Sequence, residues 1–186
     1  MATRLGSLIR RVLWRRRGFG RDERGATIIE FGLLAVPFFS ILGAILETSI
    51  IFLSTQALDS AVQDASRLVR TGQARSTILT ADDFRQEVCG RLFGLFRDCD
   101  GLFVDVQQVS NFASVNVSPP VDPTCATACE WSRGDAYQPG QGSSIMVVQV
   151  YYKWPVMLNF GLGLADLPDS KRLFAAVTVF RNEPFT

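Results

Sequence analysis

The chain has 186 residues, 19 basic and 18 acidic side chains, and no histidine. That length accommodates one domain with an appendage, and 47% hydrophobic against 20% charged residues excludes a wholly disordered protein. The missing histidines exclude Ser-His-Asp and Cys-His catalysis and His-ligated metal sites, and only Lys153 and Lys171 are available for Schiff-base chemistry.

The charge is unevenly placed. Residues 1–24 hold eight arginines against Asp22 and Glu23, a net of +6, whereas the remainder has 11 basic and 16 acidic residues, a net of −5. A basic arm suits nucleic acid or a membrane surface, and the next segment decides for the membrane. Ile28 to Leu53 reads IIEFGLLAVPFFSILGAILETSIIFL, with Glu30 and Glu47 its only ionisable side chains. As a helix rising about 1.5 Å per residue it spans about 39 Å, more than a hydrocarbon core of roughly 30 Å. Arginines before it and an acidic excess after it place the N-terminus in the cytoplasm and the bulk of the chain outside. The apolar stretch is too long for an ordinary cleaved secretory signal, and pairs such as Arg16-Arg17 arise by chance in an arginine-rich arm.

The junction between arm and helix is the most specific motif: Arg24-Gly25-Ala26-Thr27-Ile28-Ile29-Glu30-Phe31. A carboxylate inside a membrane helix is costly, less so near the interface. Cutting after Gly25 would free an amine at Ala26, one helical turn before Glu30, and the two charges could pair within one helix or between neighbouring helices. This arrangement resembles the processing site of type IV prepilins, in the Gly-x4-Glu-aromatic form of the Flp/Tad pilus system. The resemblance implies cleavage by a prepilin peptidase between Gly25 and Ala26, leaving 161 residues. It extends to the N-terminal half of TadE-type pseudopilins, through Glu30-Phe31, Pro37 within the apolar run, Glu47 at its end and the Ala/Arg-containing helix Ala57–Arg70. The closing Phe180-Arg181-Asn182-Glu183-Pro184-Phe185 is similar to the TadE tail.

What that family implies is a minor pilin or pseudopilin of the bacterial inner membrane, serving assembly or initiation of adhesive Flp/Tad pili. Its implied partners are the lipid bilayer, the prepilin peptidase, other Tad pilins and pseudopilins and the inner-membrane assembly platform, with no nucleic acid. The related TadF and TadG share the architecture. The competing expectation is an uncleaved, single-pass periplasmic scaffold or adhesin, TadG-like in kind.

Beyond the membrane helix (26–54), TQALDSAVQDASRLVRT (55–71) places Leu58, Ala61, Val62, Ala65 and Val69 at helical spacing, so the helix is expected to continue to about Gly72. A second amphipathic helix is expected over roughly 81–97, opened by Asp82 and Asp83, with Phe84, Val88, Leu92, Phe93 and Phe96 on its apolar side. LFVDVQQV (102–109), IMVVQVYY (145–152) and LFAAVTVF (173–180) read as three strands. The fold class is α+β: a long N-terminal helix and a head at 73–186 with a small antiparallel sheet.

Cys89, Cys99, Cys125 and Cys129 all follow the membrane helix, which in an oxidising periplasm suggests two disulfides. Pairing sequence neighbours is the simplest of three connectivities. The cysteine spacing does not suit a zinc ribbon, and neither a metal nor a cofactor is expected. Asp82-Asp83 and Asp166/Asp169 are carboxylate pairs in helix-start or turn contexts, where capping explains them better than acid–base work. With no phosphate loop or nucleophile elbow, the expectation is a protein that is not an enzyme. Trp131, Tyr137, Tyr151, Tyr152 and Trp154 are read chiefly as packing residues.

Overall fold

The structure, a computed structural model, describes residues 25–96, 99–122, 124, 125, 127–158 and 163–185. Of the expected basic leader, residues 1–25, all but Gly25 therefore lies outside the described residues. The chain divides into two compact units, 1–44 and 45–186.

Helix α1 runs over Ala26–Arg70 and continues through Pro37. Within it Ser40 Oγ donates to Val36 O (2.8 Å), Ser49 Oγ to Ile45 O (2.7 Å) and Thr55 Oγ1 to Ile51 O (2.9 Å), so these hydroxyls need no outside partner. The helix stops where Gly72 turns left-handed at φ 77°, a conformation glycine adopts without Cβ strain.

In the second unit, Leu58, Ala61, Val62, Ala65 and Val69 of α1 are buried in one core with the sheet. That stripe is the apolar face expected from the 3.6-residue period. Helix α2 covers only Ala81–Cys89. The expectation of a helix to residue 97 is therefore corrected, and the reason is covalent. Cys89 is bonded to Cys99 with 5.8 Å between Cα atoms, whereas ten residues of helix would separate them by about 15 Å. The chain instead turns at Phe93 (φ 51°) and Gly94 (φ 72°). Phe84, Val88, Leu92 and Phe96 are buried as expected, but Phe93, assigned by its spacing to the apolar side, is 92% exposed.

The sheet has four strands: β1 (Leu102–Val109), β2 (Ala136–Tyr137), β3 (Ile145–Pro155) and β4 (Lys171–Arg181), in the order β2-β1-β3-β4. It is mixed rather than wholly antiparallel, because the two-residue β2 joins β1 in parallel while β3 lies antiparallel to both β1 and β4. Register puts Leu102 opposite Tyr152 and Tyr152 opposite Phe174, and likewise Val104 opposite Val150 and Val150 opposite Ala176. These residues form the face turned to the helical core. Period-two alternation sends Phe103, Asp105, Gln149 and Tyr151 to the other face, where they are also buried.

A segment carrying the Cys125–Cys129 disulfide supplies partners to that second face. Trp131 lies 5.2 Å from Phe103 between ring centroids, and Arg133 lies over Phe103 at 5.5 Å. Arg133 also pairs with the buried Asp105 at 3.2 Å and donates to Ser118 O at 2.8 Å. Tyr151 donates to Gln149 Oε1 at 2.9 Å, so the buried polar groups here are satisfied by one another. The aromatics thus act as packing residues: Tyr151 and Tyr152 are buried, and Trp131, Tyr137 and Trp154 are half-buried.

Candidate membrane anchor and its contacts

Within the first unit, α1 presents Ile28, Ile29, Phe31, Leu33, Leu34, Val36, Phe38, Phe39, Ile41 and Leu42 as exposed side chains. The helix is long and apolar enough to cross a membrane. Water would leave this surface unburied, whereas lipid covers it with no further partner. Pro37 removes one backbone donor, which membrane helices tolerate.

Gly25 immediately precedes the helix, and a Cβ built on it meets nothing within 4 Å. Its backbone does not require glycine either, since its φ lies outside the left-handed region. Among the described residues, then, packing gives no reason for glycine at this position. Glu30 is exposed one turn into the helix, and Phe31 is exposed beside it.

Glu47 behaves differently from Glu30. It is only 6% exposed, and its Oε1 accepts a 3.0 Å hydrogen bond from the backbone N–H of Met157, just beyond the end of β3. A helical carboxylate at the end of the apolar run thus holds a segment of the head. The sequence marked Glu47 as a motif residue but offered no partner for it. The available signal was the uncharged stretch Val156-Met157-Leu158-Asn159-Phe160-Gly161-Leu162-Gly163-Leu164, too apolar for an ordinary solvated loop.

The tail residues also acquire partners in the second unit. Glu183 N–H donates to Arg70 O at 2.9 Å, capping one of the carbonyls orphaned at the helix end. Asn182, buried, donates through Nδ2 to Gln141 O at 3.0 Å, and its N–H bonds to Ser144 O at 2.8 Å. Phe185 fills the space over Gly72 and Gly142: a Cβ on Gly72 would fall 2.8 Å from the Phe185 ring, and one on Gly142 would fall 2.8 Å from Phe185 N. Arg75 lies over the same ring at 5.6 Å.

The carboxylate pairs are occupied structurally. Asp83 accepts from Thr80 N–H at 2.9 Å while Thr80 Oγ1 accepts from Asp83 N–H at 3.2 Å, a reciprocal capping box. Hydrogen bonds from Leu79 N–H, the Thr80 hydroxyl and Thr80 N–H hold the Asp83 carboxyl below its ordinary range. Asp82 pairs with Arg85, which also pairs with Asp135 and donates to Leu102 O at 2.9 Å. Asp166 Oδ1 accepts from Leu173 N–H at 2.8 Å, and Asp169 pairs with Lys171 at 2.7 Å. Burial, reinforced by the Asp83 charge, pushes the Tyr137 phenol up to about 12. Burial also lowers Lys153, whose Nζ donates to Cys129 O and lies 3.9 Å from the Trp131 ring centre. The Asp83 shift follows from the capping hydrogen bonds, and those of Tyr137 and Lys153 follow from burial.

Residues 25–67 match the family model described as TadE-like protein. The matched segment opens at Gly25, includes Glu30, Phe31, Pro37 and Glu47, and ends within α1. No curated protein and no solved structure gives a significant match to the chain.

Proposed function

We propose that this chain, TadE-like over its N-terminal segment, is a pilin-like, membrane-anchored component of the Flp/Tad pilus system. It acts as a minor pilin or pseudopilin in assembly or initiation of the adhesive pilus, after a prepilin peptidase has cut between Gly25 and Ala26. The role is structural and non-enzymatic. The observation that carries the reading is a coincidence of three boundaries: the TadE-like match opens at Gly25, α1 opens at Ala26, and Glu30 follows one turn later.

Chemistry supports each part. The +6 leader favours retention in the cytoplasm, so the helix crosses the inner membrane once and the head lies in the periplasm. The Cys89–Cys99 and Cys125–Cys129 disulfides suit that oxidising compartment. Cleavage supplies the Ala26 amine that Glu30 would pair with, in the same helix or in a neighbouring pilin helix at matched height. The exposed helical surface offers the area for packing against the other pilins and the assembly platform.

N-terminal sequencing of the protein extracted from membranes of cells with an active Tad system tests the reading. A start at Ala26 supports it, and Gly25→Asp should then preserve the full-length form by removing the cleavage site; among the described residues nothing lies within 4 Å of a Cβ there, so the helix itself should tolerate the change. A start at Met1 or Ala2 would instead support an uncleaved periplasmic scaffold or adhesin.

A further inference from the structure

The end of the head that holds Glu47 carries apolar side chains in positions a solvated domain does not favour. Met157 is 85% exposed and Leu158 is exposed beside it. Phe93 is 92% exposed although its backbone sits at φ 51°, a region bulky residues seldom occupy. The Cys89–Cys99 bond closes the segment that contains it, and Leu95 in the same segment is exposed as well.

These residues belong to one end of the sheet. Phe96 packs edge-on against Trp154 at 5.5 Å and Tyr152 at 4.7 Å, which sets the Phe93–Leu95 segment beside the end of β3. Three residues after Trp154 comes Met157, fixed to Glu47. Helix α1 gives the level of this end. Ile45, Leu46, Ile50, Phe52 and Leu53 are exposed apolar residues on both sides of Glu47 along the helix. At about 1.5 Å per residue the exposed apolar band runs about 9 Å past Glu47 toward the head. Whatever medium covers Phe52 and Leu53 therefore also reaches Met157.

We propose that Phe93, Leu95, Met157 and Leu158 seat this end of the head in the interfacial layer of the bilayer that α1 crosses, as a second, non-helical contact with lipid. The proposal rests on the membrane-anchor reading above. The contact is argued as apolar rather than ionic because, among the described residues, the cations of this end have partners in the head: Lys153 on Cys129 O, Lys171 on Asp169, Arg172 on Leu164 O, and Arg91 on Glu87. Side chains of this kind gain by leaving water for the acyl boundary.

The test uses the full chain reconstituted in phosphatidylcholine vesicles that contain a phosphatidylcholine with a photoreactive diazirine in its acyl chain. After irradiation, lipid adducts are mapped by mass spectrometry. Phe112 is the internal control: it is an exposed phenylalanine just beyond Val109, and the register of β1 on β3 puts it at the opposite end of the sheet. Adducts on residues 93–95 and 157–158 are expected to exceed those at Phe112 by about ten-fold, the ratio that burial of one such side chain supports. They should persist in about 0.5 M salt, where screening is effective beyond roughly 4 Å. Labelling of α1 with the head at the Phe112 level overturns this inference alone. An unlabelled α1 overturns the anchor reading as well. Head adducts lost at high salt, or replaced by cross-links to a protein, would show that the apolar seat in lipid is wrong.

Discussion

Met157 donates its backbone N–H to Glu47 Oε1 at 3.0 Å, joining residues 110 positions apart. The acceptor is buried on a helix and the donor lies on an exposed segment, so the bond fixes where the end of β3 meets α1. Glu47→Ala should leave that N–H without its acceptor and destabilise the head by about 1–3 kcal/mol. Glu47→Gln keeps a side-chain oxygen in reach and should lose less. Denaturant unfolding of the detergent-solubilised chain, followed by tryptophan fluorescence, checks the order wild type, Gln, Ala; equal losses for the two variants would contradict it.

The tail should be as demanding as a core. Gly142→Ala puts a methyl group against the Phe185 backbone, with a 2.8 Å approach to its nitrogen, and should cost about 1–3 kcal/mol. Gly134→Ala, where a Cβ meets nothing within 4 Å, is the neutral comparison. Thermal melts of the two variants should diverge, and Gly142→Ala should expose the tail to carboxypeptidase.

The capping box of α2 makes stability depend on acid. Asp83 is held below its ordinary value by the Leu79 and Thr80 hydrogen bonds, so the folded state binds its proton less readily than the unfolded chain. Its contribution is complete above the unfolded value of about 4 and disappears as the pH falls through the lower, folded value. Asp83→Asn should therefore melt at a lower temperature than wild type at pH 7, and the two should converge as the pH drops below about 4. A difference independent of pH would assign the effect to something other than ionisation.

Much of this architecture was legible because it is periodic. Leu58, Ala61, Val62, Ala65 and Val69 announce a buried helical stripe, and LFVDVQQV announces β1 with both its ends. The errors lie where a distant partner overrides a local pattern. Phe93 continues the helical spacing of α2, but Cys99 turns the chain back to Cys89 and leaves the ring uncovered by the rest of the head. Strand β2 is two residues long and is created by pairing with β1, so Ala136 and Tyr137 carry little strand signal of their own. In the candidate site, Gly25, Glu30 and Glu47 stand out as violations: a glycine at a helix start and charges in an apolar run. The partners of Glu47 and Asn182 do not stand out, because a backbone N–H or carbonyl looks the same in every residue.

The carbonyl of Arg70 waits for the N–H of Glu183, and Ser144 waits for Asn182. Neither can be satisfied until β4 and the residues after it have been synthesised. A chain that folds as it is synthesised must therefore hold α1 and β3 incomplete, with the central strand lacking one neighbour, until those late residues arrive. During that interval the unpaired edge of β3 is the part of the molecule most open to wrong partners, including another copy of itself. A chain truncated before residue 182 therefore keeps α1 but leaves the junction between helix and sheet unsealed.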